Sequence, residues 1–359
     1  MKSVFHLALG ILLVSHAVAT GAERLQKDLR GRWRFMPGNN ASFASAEFDD
    51  SKWEKIRVPG VWESQGYEDY NGYAWYRTDF TAAADLKDKI LILDLGTIDD
   101  VDRVYLNGRL IGGKGESSPE YLTAYNIRRR YWIPDGTLRF DRMNCLAVQV
   151  YDDGGEGGFV SGRIGIYSVD PDEATLDLTG SWKFKTGDDT LWARPELDDK
   201  TWEMIVVPAQ WESQGHPDVD GYAWYRLSLT LPKQLSGKEL LFTMGAVDDA
   251  DEVYLNGRRI GRTGYFPGEK YGKSNEKFFN RRRAYSIPSD RARWGEENIL
   301  AVRVYDVWGQ GGIYQGPVQI ITQKEYGRHR KTDDWNSRSW DAGGESFWDV
   351  IGSIFDDWF

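Results

Sequence analysis

Apolar residues in this chain come in short runs that suit strands rather than in long helical stripes. Ile90-Leu91-Ile92-Leu93 and Arg103-Val104-Tyr105-Leu106 are short and rich in β-formers. Asn107-Gly108 and Asn256-Gly257 carry the turn chemistry of two-residue hairpins. In Tyr225, Leu227 and Leu229 the alternation puts apolar groups on one face, leaving Trp224 and Arg226 on the other. No long stretch before residue 345 shows helical periodicity. The pattern predicts an all-β protein of many short strands with Gly-rich corners, a β-sandwich of the jelly-roll kind.

The chain also repeats itself. Trp62-Glu63-Ser64-Gln65-Gly66 recurs letter for letter at Trp211 to Gly215, and Gly72-Tyr73-Ala74-Trp75-Tyr76-Arg77 at Gly221 to Arg226. Val104 to Arg109 returns at Val253 to Arg258. These pairs share an offset of 149. It becomes 154 for Tyr131 and Tyr285, Val150-Tyr151-Asp152 and Val304-Tyr305-Asp306, and Gly157-Gly158 and Gly311-Gly312. The second copy therefore holds five extra residues between Gly264 and Arg281. A unit of this size is a domain in its own right rather than a solenoid repeat. The expected organisation is a signal peptide over 1–22, one jelly roll over 23–170, a second over 171–323, a polar linker over 324–344 and a tail over 345–359.

Composition narrows the function classes. A net charge of −10 disfavours non-specific nucleic-acid binding, which needs a basic stripe. Lys2 followed by the mostly apolar Val4 to Val14 reads as a secretion signal, too short to span a bilayer, with small residues at Ala17-Val18-Ala19 or Thr20-Gly21-Ala22 for cleavage. The expected location is secreted or periplasmic, with no membrane span. The lone Cys145 lies in an apolar run where the second copy has Ile299, and reads as a small buried hydrophobe.

Arg77 and Arg226 sit beside Trp75 and Trp224 on one strand face. Asp102 and Asp251 fall on the apolar parity of their strands and need partners there. An Arg–Asp framework pair in each copy and ligand contact by the arginines are both open. Trp62-Glu63 and Trp211-Glu212 precede Gly- and Tyr-rich turns. Asp152 and Asp306 open Gly-rich loops, with Trp308 and Tyr314 flanking the second one. Sugars are held by aromatic faces stacked on C–H surfaces together with polar groups, so the candidate ligand residues are Trp62, Glu63, Arg77, Asp152, Trp211, Glu212, Arg226, Asp306, Trp308 and Tyr314. The second copy, richer in stacking groups, is expected to bind better.

Catalytic signatures are missing. Beyond the signal segment the histidines are His216 and His329, and no G-x-S-x-G elbow occurs. There is no His or Cys metal spacing and no phosphate loop, so no cofactor is expected. Carboxylates are plentiful, which keeps a glycosidase pair open as an alternative.

Phe48-Asp49-Asp50 through Trp53, Val58-Pro59, Trp62-Glu63, Trp75-Tyr76-Arg77, Asp102 through Asn107-Gly108, and Gly157-Gly158 together resemble the sugar-binding domain of family-two glycoside hydrolases such as β-galactosidases. The resemblance covers 28–167 and again 177–321. It implies two tandem galactose-binding-like jelly rolls and a glycan as partner. In β-galactosidases this domain lends an aspartate to the sugar site from a loop like Asp306 to Tyr314. Asp306 and Trp308 hold the corresponding places, and Asp152 matches with Gly154 in place of the tryptophan. The family's chemistry sits on a barrel of about 250 residues, and the roughly 36 residues after the second copy leave no room for one, so a non-catalytic carbohydrate-binding protein is expected.

In the tail, Phe347, Val350, Ile351, Ile354, Phe355 and Trp358 form one apolar helical stripe. A short amphipathic helix over 345–359 is expected, docking on its own domains or capturing a partner protein. A structural or assembly module recruiting a partner through this helix is the other non-catalytic reading.

Overall fold

The computed structural model describes residues 23–331 except 119–120, 218, 270–274 and 276–277. The expected signal peptide and the helical tail at 345–359 lie outside the described residues. The fold is all-β, with four antiparallel sheets. The first six-stranded sheet runs Glu54–Val58, Gly31–Pro37, Gly72–Thr81, Met143–Asp152, Val101–Leu106, Arg109–Lys114 in spatial order. The first five-stranded sheet runs Arg24–Asp28, Gly158–Val169, Ile90–Asp99, Arg128–Trp132, and Gly60–Val61 also pairs with Gly158–Val169. Both arrangements recur in the second half. There the six-stranded order is Glu203–Val207, Gly180–Thr186, Gly221–Thr230, Glu297–Asp306, Ala250–Leu255, Arg258–Thr263. The five-stranded sheet is built on Leu240–Asp248.

Each half has one main core fed by both of its sheets. In the first, Trp33, Phe35, Ile56, Tyr76 and Val148 of the six-stranded sheet meet Leu93, Leu95, Ile98, Phe159 and Ile166 of the five-stranded one. The Trp33 and Phe159 rings lie 5.4 Å apart across that boundary. The alternation of each strand produces this, because every second residue turns toward the facing sheet. The hairpin turns form as the sequence dictates. Asn107 and Asn256 take left-handed φ of 52° and 50°, followed by Gly108 and Gly257 at 82° and 78°.

The chain crosses between sheets at one recurring place. Ile90–Asp99 belongs to the five-stranded sheet and Val101–Leu106 to the six-stranded one, so Asp99-Asp100 is the crossing point. Asp248-Asp249 is its counterpart. The two halves also touch each other. Asp135 accepts hydrogen bonds from the Lys233 N–H at 3.3 Å and the Gln234 side chain at 3.1 Å, and Ile90 is buried in the second core.

The reading of 324–344 as linker needs correction at its start. Gln323–Lys331 is a helix. It lies along the joint between the halves, where Lys324 pairs with Asp172 at 2.7 Å and Arg328 with Glu173 at 2.5 Å. Polar composition reads as linker only when nothing charged waits nearby, and the acidic joint supplies partners. Residues 332–344 lie outside the described residues. None of the described helices is long and apolar enough to cross a membrane.

Candidate functional site

The outer face of each six-stranded sheet is covered rather than open. In the first half, Phe43, Phe48, Trp53 and Trp75 form a second small core there. Arg77 is 2 % exposed and ties the covering segment down. Its Nε meets Asp50 at 2.6 Å, while Nη1 donates to the Ser45 carbonyl at 2.9 Å and to that of Phe43. Arg226 repeats this with Asp199 at 2.8 Å and the carbonyls of Arg194 and Trp192. Arg77 and Arg226 are thus held as framework groups, the first of the two readings open for them, and at 2 and 1 % exposure they offer a ligand no surface. Their partners are Asp50 and Asp199, not Asp102 and Asp251, because the arginines lie on the opposite face of the sheet from those carboxylates.

Asp102 and Asp251 point between the sheets, and their partners come from the facing one. Arg129 Nε donates to Asp102 at 2.7 Å, and the Tyr131 hydroxyl at 2.5 Å. Arg283 and Tyr285 serve Asp251 at 2.7 and 2.6 Å.

Trp62 and Trp211 also belong to the core, each 0 % exposed. Their indole N–H groups donate to the Tyr70 and Val219 carbonyls at 3.1 and 3.0 Å. The rings press on Gly157 and Gly311, where an added Cβ would stand 2.1 Å from Cζ2 of each. These glycines make room for a neighbouring ring rather than for a ligand. Such packing removes Trp62 and Trp211 from the surface where a sugar could stack. Glu63 and Glu212 each accept the N–H of that glycine, at 2.9 and 2.8 Å, so the Trp-Glu pair clamps the Gly-rich loop from inside.

Asp152 and Asp306 end the two long strands and are 0 % exposed. Oδ1 of Asp152 accepts the Gly154 N–H and that of Asp306 the Trp308 N–H, both at 3.2 Å. Each stands beside the crossing-point pair of its own half. One oxygen from each of Asp99, Asp100 and Asp152 lies within 4.8 Å of the others, and the same holds for Asp248, Asp249 and Asp306. Burial, then the charge of Asp100 and Glu63, pushes Asp152 up to about 7. Burial and Asp100 push Asp99 to about 8. In the second half Asp248 rises to about 7 and Asp306 to about 6, from burial and the charge of Asp249. The sequence reading missed this trio. The available signal was an Asp-Asp pair and a strand-ending Asp, each recurring at the repeat offsets.

Among the described residues, exposed aromatic surface is confined to a few places. Trp308 is 78 % exposed, and Val307 beside it 45 %. Tyr314 is half-buried, its hydroxyl donating to the Phe279 carbonyl at 2.8 Å. At the same strand end Tyr222 and Tyr305 have ring centres 4.8 Å apart, and the Arg303 guanidinium lies 4.7 Å from Tyr222 and 4.4 Å from Phe266. In the first half Tyr73 and Tyr151 pair at 4.7 Å, with Gln149 at the place of Arg303. A pocket of about 120 Å³ opens there between Tyr73, Tyr151, Gln149, Arg103 and Ser117. A wider concavity of about 440 Å³ in the second half is bordered by Lys183, Asp199, Lys200, Met204 and Glu297.

No family model matches the chain. Over 168 residues, 40 % of this chain, it is 27 % identical to a β-glucuronidase of Formosa agariphila, of which the match covers 16 %. Over 178 residues, 42 % of this chain, it is 26 % identical to the β-galactosidase BoGH2A of Bacteroides ovatus, of which it covers 19 %. The matched stretch thus spans less than a fifth of these relatives. Among solved structures, a Bacteroides uniformis β-glucuronidase aligns with 81 % of this chain and 28 % of its own, at 16 % identity and a TM-score of 0.36. A family-two glycosyl hydrolase member from Bacteroides cellulosilyticus aligns with 79 % of this chain and 31 % of its own, at 15 % identity and 0.37. The chain is similar to parts of family-two glycoside hydrolases.

Proposed function

We propose that this chain is a non-catalytic carbohydrate-binding protein. It is built from two galactose-binding-like jelly-roll modules over 23–170 and 171–323, and works outside the cytoplasm beside a glycoside hydrolase system. The observation that carries the reading is Trp308. A tryptophan 78 % exposed on a Gly-rich loop offers the flat apolar face that a sugar ring stacks on. The loop beneath it is held by Asp306 and Glu212, so the ring is presented on a fixed base. Partial similarity to a β-glucuronidase and a β-galactosidase supports a sugar as the ligand class. A glycosidase reading needs two carboxyls facing a cleft, and the wholly buried Asp152 and Asp306 do not supply one. Asp152 and Asp306 then support the loops from beneath instead of touching the sugar.

The test is a glycan array with the mature protein, followed by titration of any hit against Trp308→Ala. Binding lost with the melting temperature unchanged is the expected result. Turnover of a hit, or affinity indifferent to Trp308, overturns the proposal.

A further inference from the structure

Each aspartate trio sits where the chain passes from one sheet to the other and where the Gly-rich loop begins. Asp152 and Asp306 are fully buried, as are Asp100 and Asp249 at 5 and 8 % exposure. A second observation stands apart from the clustering. The remaining oxygen of Asp152, Oδ2, has no hydrogen-bond partner, and neither has Oδ2 of Asp306. Oε2 of Glu63 and of Glu212 is also without a partner. A buried carboxylate oxygen with nothing to accept from is costly. Here the same atom is left bare twice, at equivalent positions of two copies.

We propose that each trio is a calcium site, formed by Asp99, Asp100 and Asp152 in the first half and by Asp248, Asp249 and Asp306 in the second. The donors are all carboxylate oxygens, which suits a hard divalent cation and not zinc or copper. Calcium binds oxygens at about 2.3–2.6 Å, so ligands on opposite sides of it stand roughly 5 Å apart. The three oxygens of each trio lie within 4.8 Å of one another, close enough to share one such ion. Magnesium, at about 2.1 Å, asks for a tighter octahedron and retains more water. A cation here gives Oδ2 of Asp152 and of Asp306 its missing partner and offsets the mutual repulsion of the three acids. It also ties the crossing point to the root of the Gly-rich loop, fixing in the second half the base on which Trp308 stands. The inference does not depend on glycan binding.

The experiment uses the full mature protein stripped with a chelator and titrated calorimetrically with calcium chloride, with magnesium chloride as the comparison. Two equivalents of calcium and a higher melting temperature are expected. Asp152→Asn and Asp306→Asn are near-isosteric, and each should lose one equivalent while the circular dichroism spectrum stays unchanged. Chelated wild type read alongside keeps the test valid if one variant fails to fold. No calcium heat and no thermal shift up to about 1 mM, the weak end for extracellular modules, overturns the proposal, as do binding that survives both substitutions and a preference for magnesium. A glycan array run with and without chelator is read separately, so failure of the sugar reading leaves the calcium result standing.

Discussion

Arg129 and Asp102 meet at 2.7 Å between the two sheets of the first half, with both side chains 0 % exposed. Arg283 and Asp251 repeat the contact at the same distance and burial. The guanidinium also donates to carbonyls, Arg129 to Asp100 at 2.7 Å and Arg283 to Val247 and Asp249 at 2.8 and 3.0 Å, so the pair is enclosed in satisfied hydrogen bonds. Replacing Arg283 by Met leaves Asp251 buried and uncompensated, which costs about 3–5 kcal/mol. Urea denaturation should show that loss. Arg30→Ala, which removes an exposed pair with Asp28, should leave the midpoint where it is.

Gly311 and Trp211 are coupled by contact. An alanine Cβ at 311 would stand 2.1 Å from Cζ2 and 2.3 Å from Cε2 of the indole, and neither atom can move in a full core. Gly311→Ala should destabilise by about 1–3 kcal/mol as overpacking. Phenylalanine lacks the outer ring that carries Cζ2, so Trp211→Phe should recover part of the loss in the double variant. A double-mutant cycle with no coupling energy would show that the glycine serves something other than the ring.

Cys145 has a thiol pushed up to about 11, chiefly by burial, with the nearby Arg77 charge pulling the other way. A thiolate is scarce at pH 8 under those conditions, and the side chain is only 6 % exposed. Iodoacetamide at pH 8 should leave native protein unmodified by mass spectrometry and label it fully in denaturant. Rapid labelling of the native form would mean that the Met143–Asp152 strand opens readily.

Much of this architecture could be read from the chain because strand alternation and the repeat act locally. Asn107-Gly108 dictates its hairpin without outside help, and the 149-residue offset carries that turn over to Asn256-Gly257. The ionic partners were harder to see. Asp102 shows by parity that it needs a cation, but nothing local says that Arg129 supplies it from the facing sheet. The recurrence of Arg129 and Tyr131 at Arg283 and Tyr285 was the usable signal. Trp62 was misread because a repeated tryptophan beside glycines suits a stacking platform and a packed core equally well. Only the distance to Gly157 decides between them. The aspartate trios draw on strands from two different sheets, so their recurrence at the repeat offsets marks the residues without showing that they meet.

The two halves differ most tellingly at Arg303. It pairs with Asp188 at 2.5 Å and with the nearly buried Glu252 at 3.0 Å, while lying over the rings of Tyr222 and Phe266. The equivalent positions in the first half are Gln149, Asn39 and Arg103, so all three charges are altered together. Arg103 turns instead to Glu116 at 2.6 Å, and the Gln149 side chain donates to Asn39 at 2.9 Å. Arg303 thus anchors one half where its counterpart borders a small pocket. Arg303→Gln removes two charge-assisted contacts, but Glu252 keeps Arg259 at 2.5 Å and the Tyr254 hydroxyl at 2.8 Å. The loss should therefore stay near 1–3 kcal/mol, below that of an abandoned buried pair. Gln149→Ala should change stability by less than about 0.5 kcal/mol, because the side chain carries no charge and gives up one uncharged hydrogen bond at the surface. Equal losses from the two substitutions in urea denaturation would mean that the charge pattern around Arg303 contributes nothing to the fold.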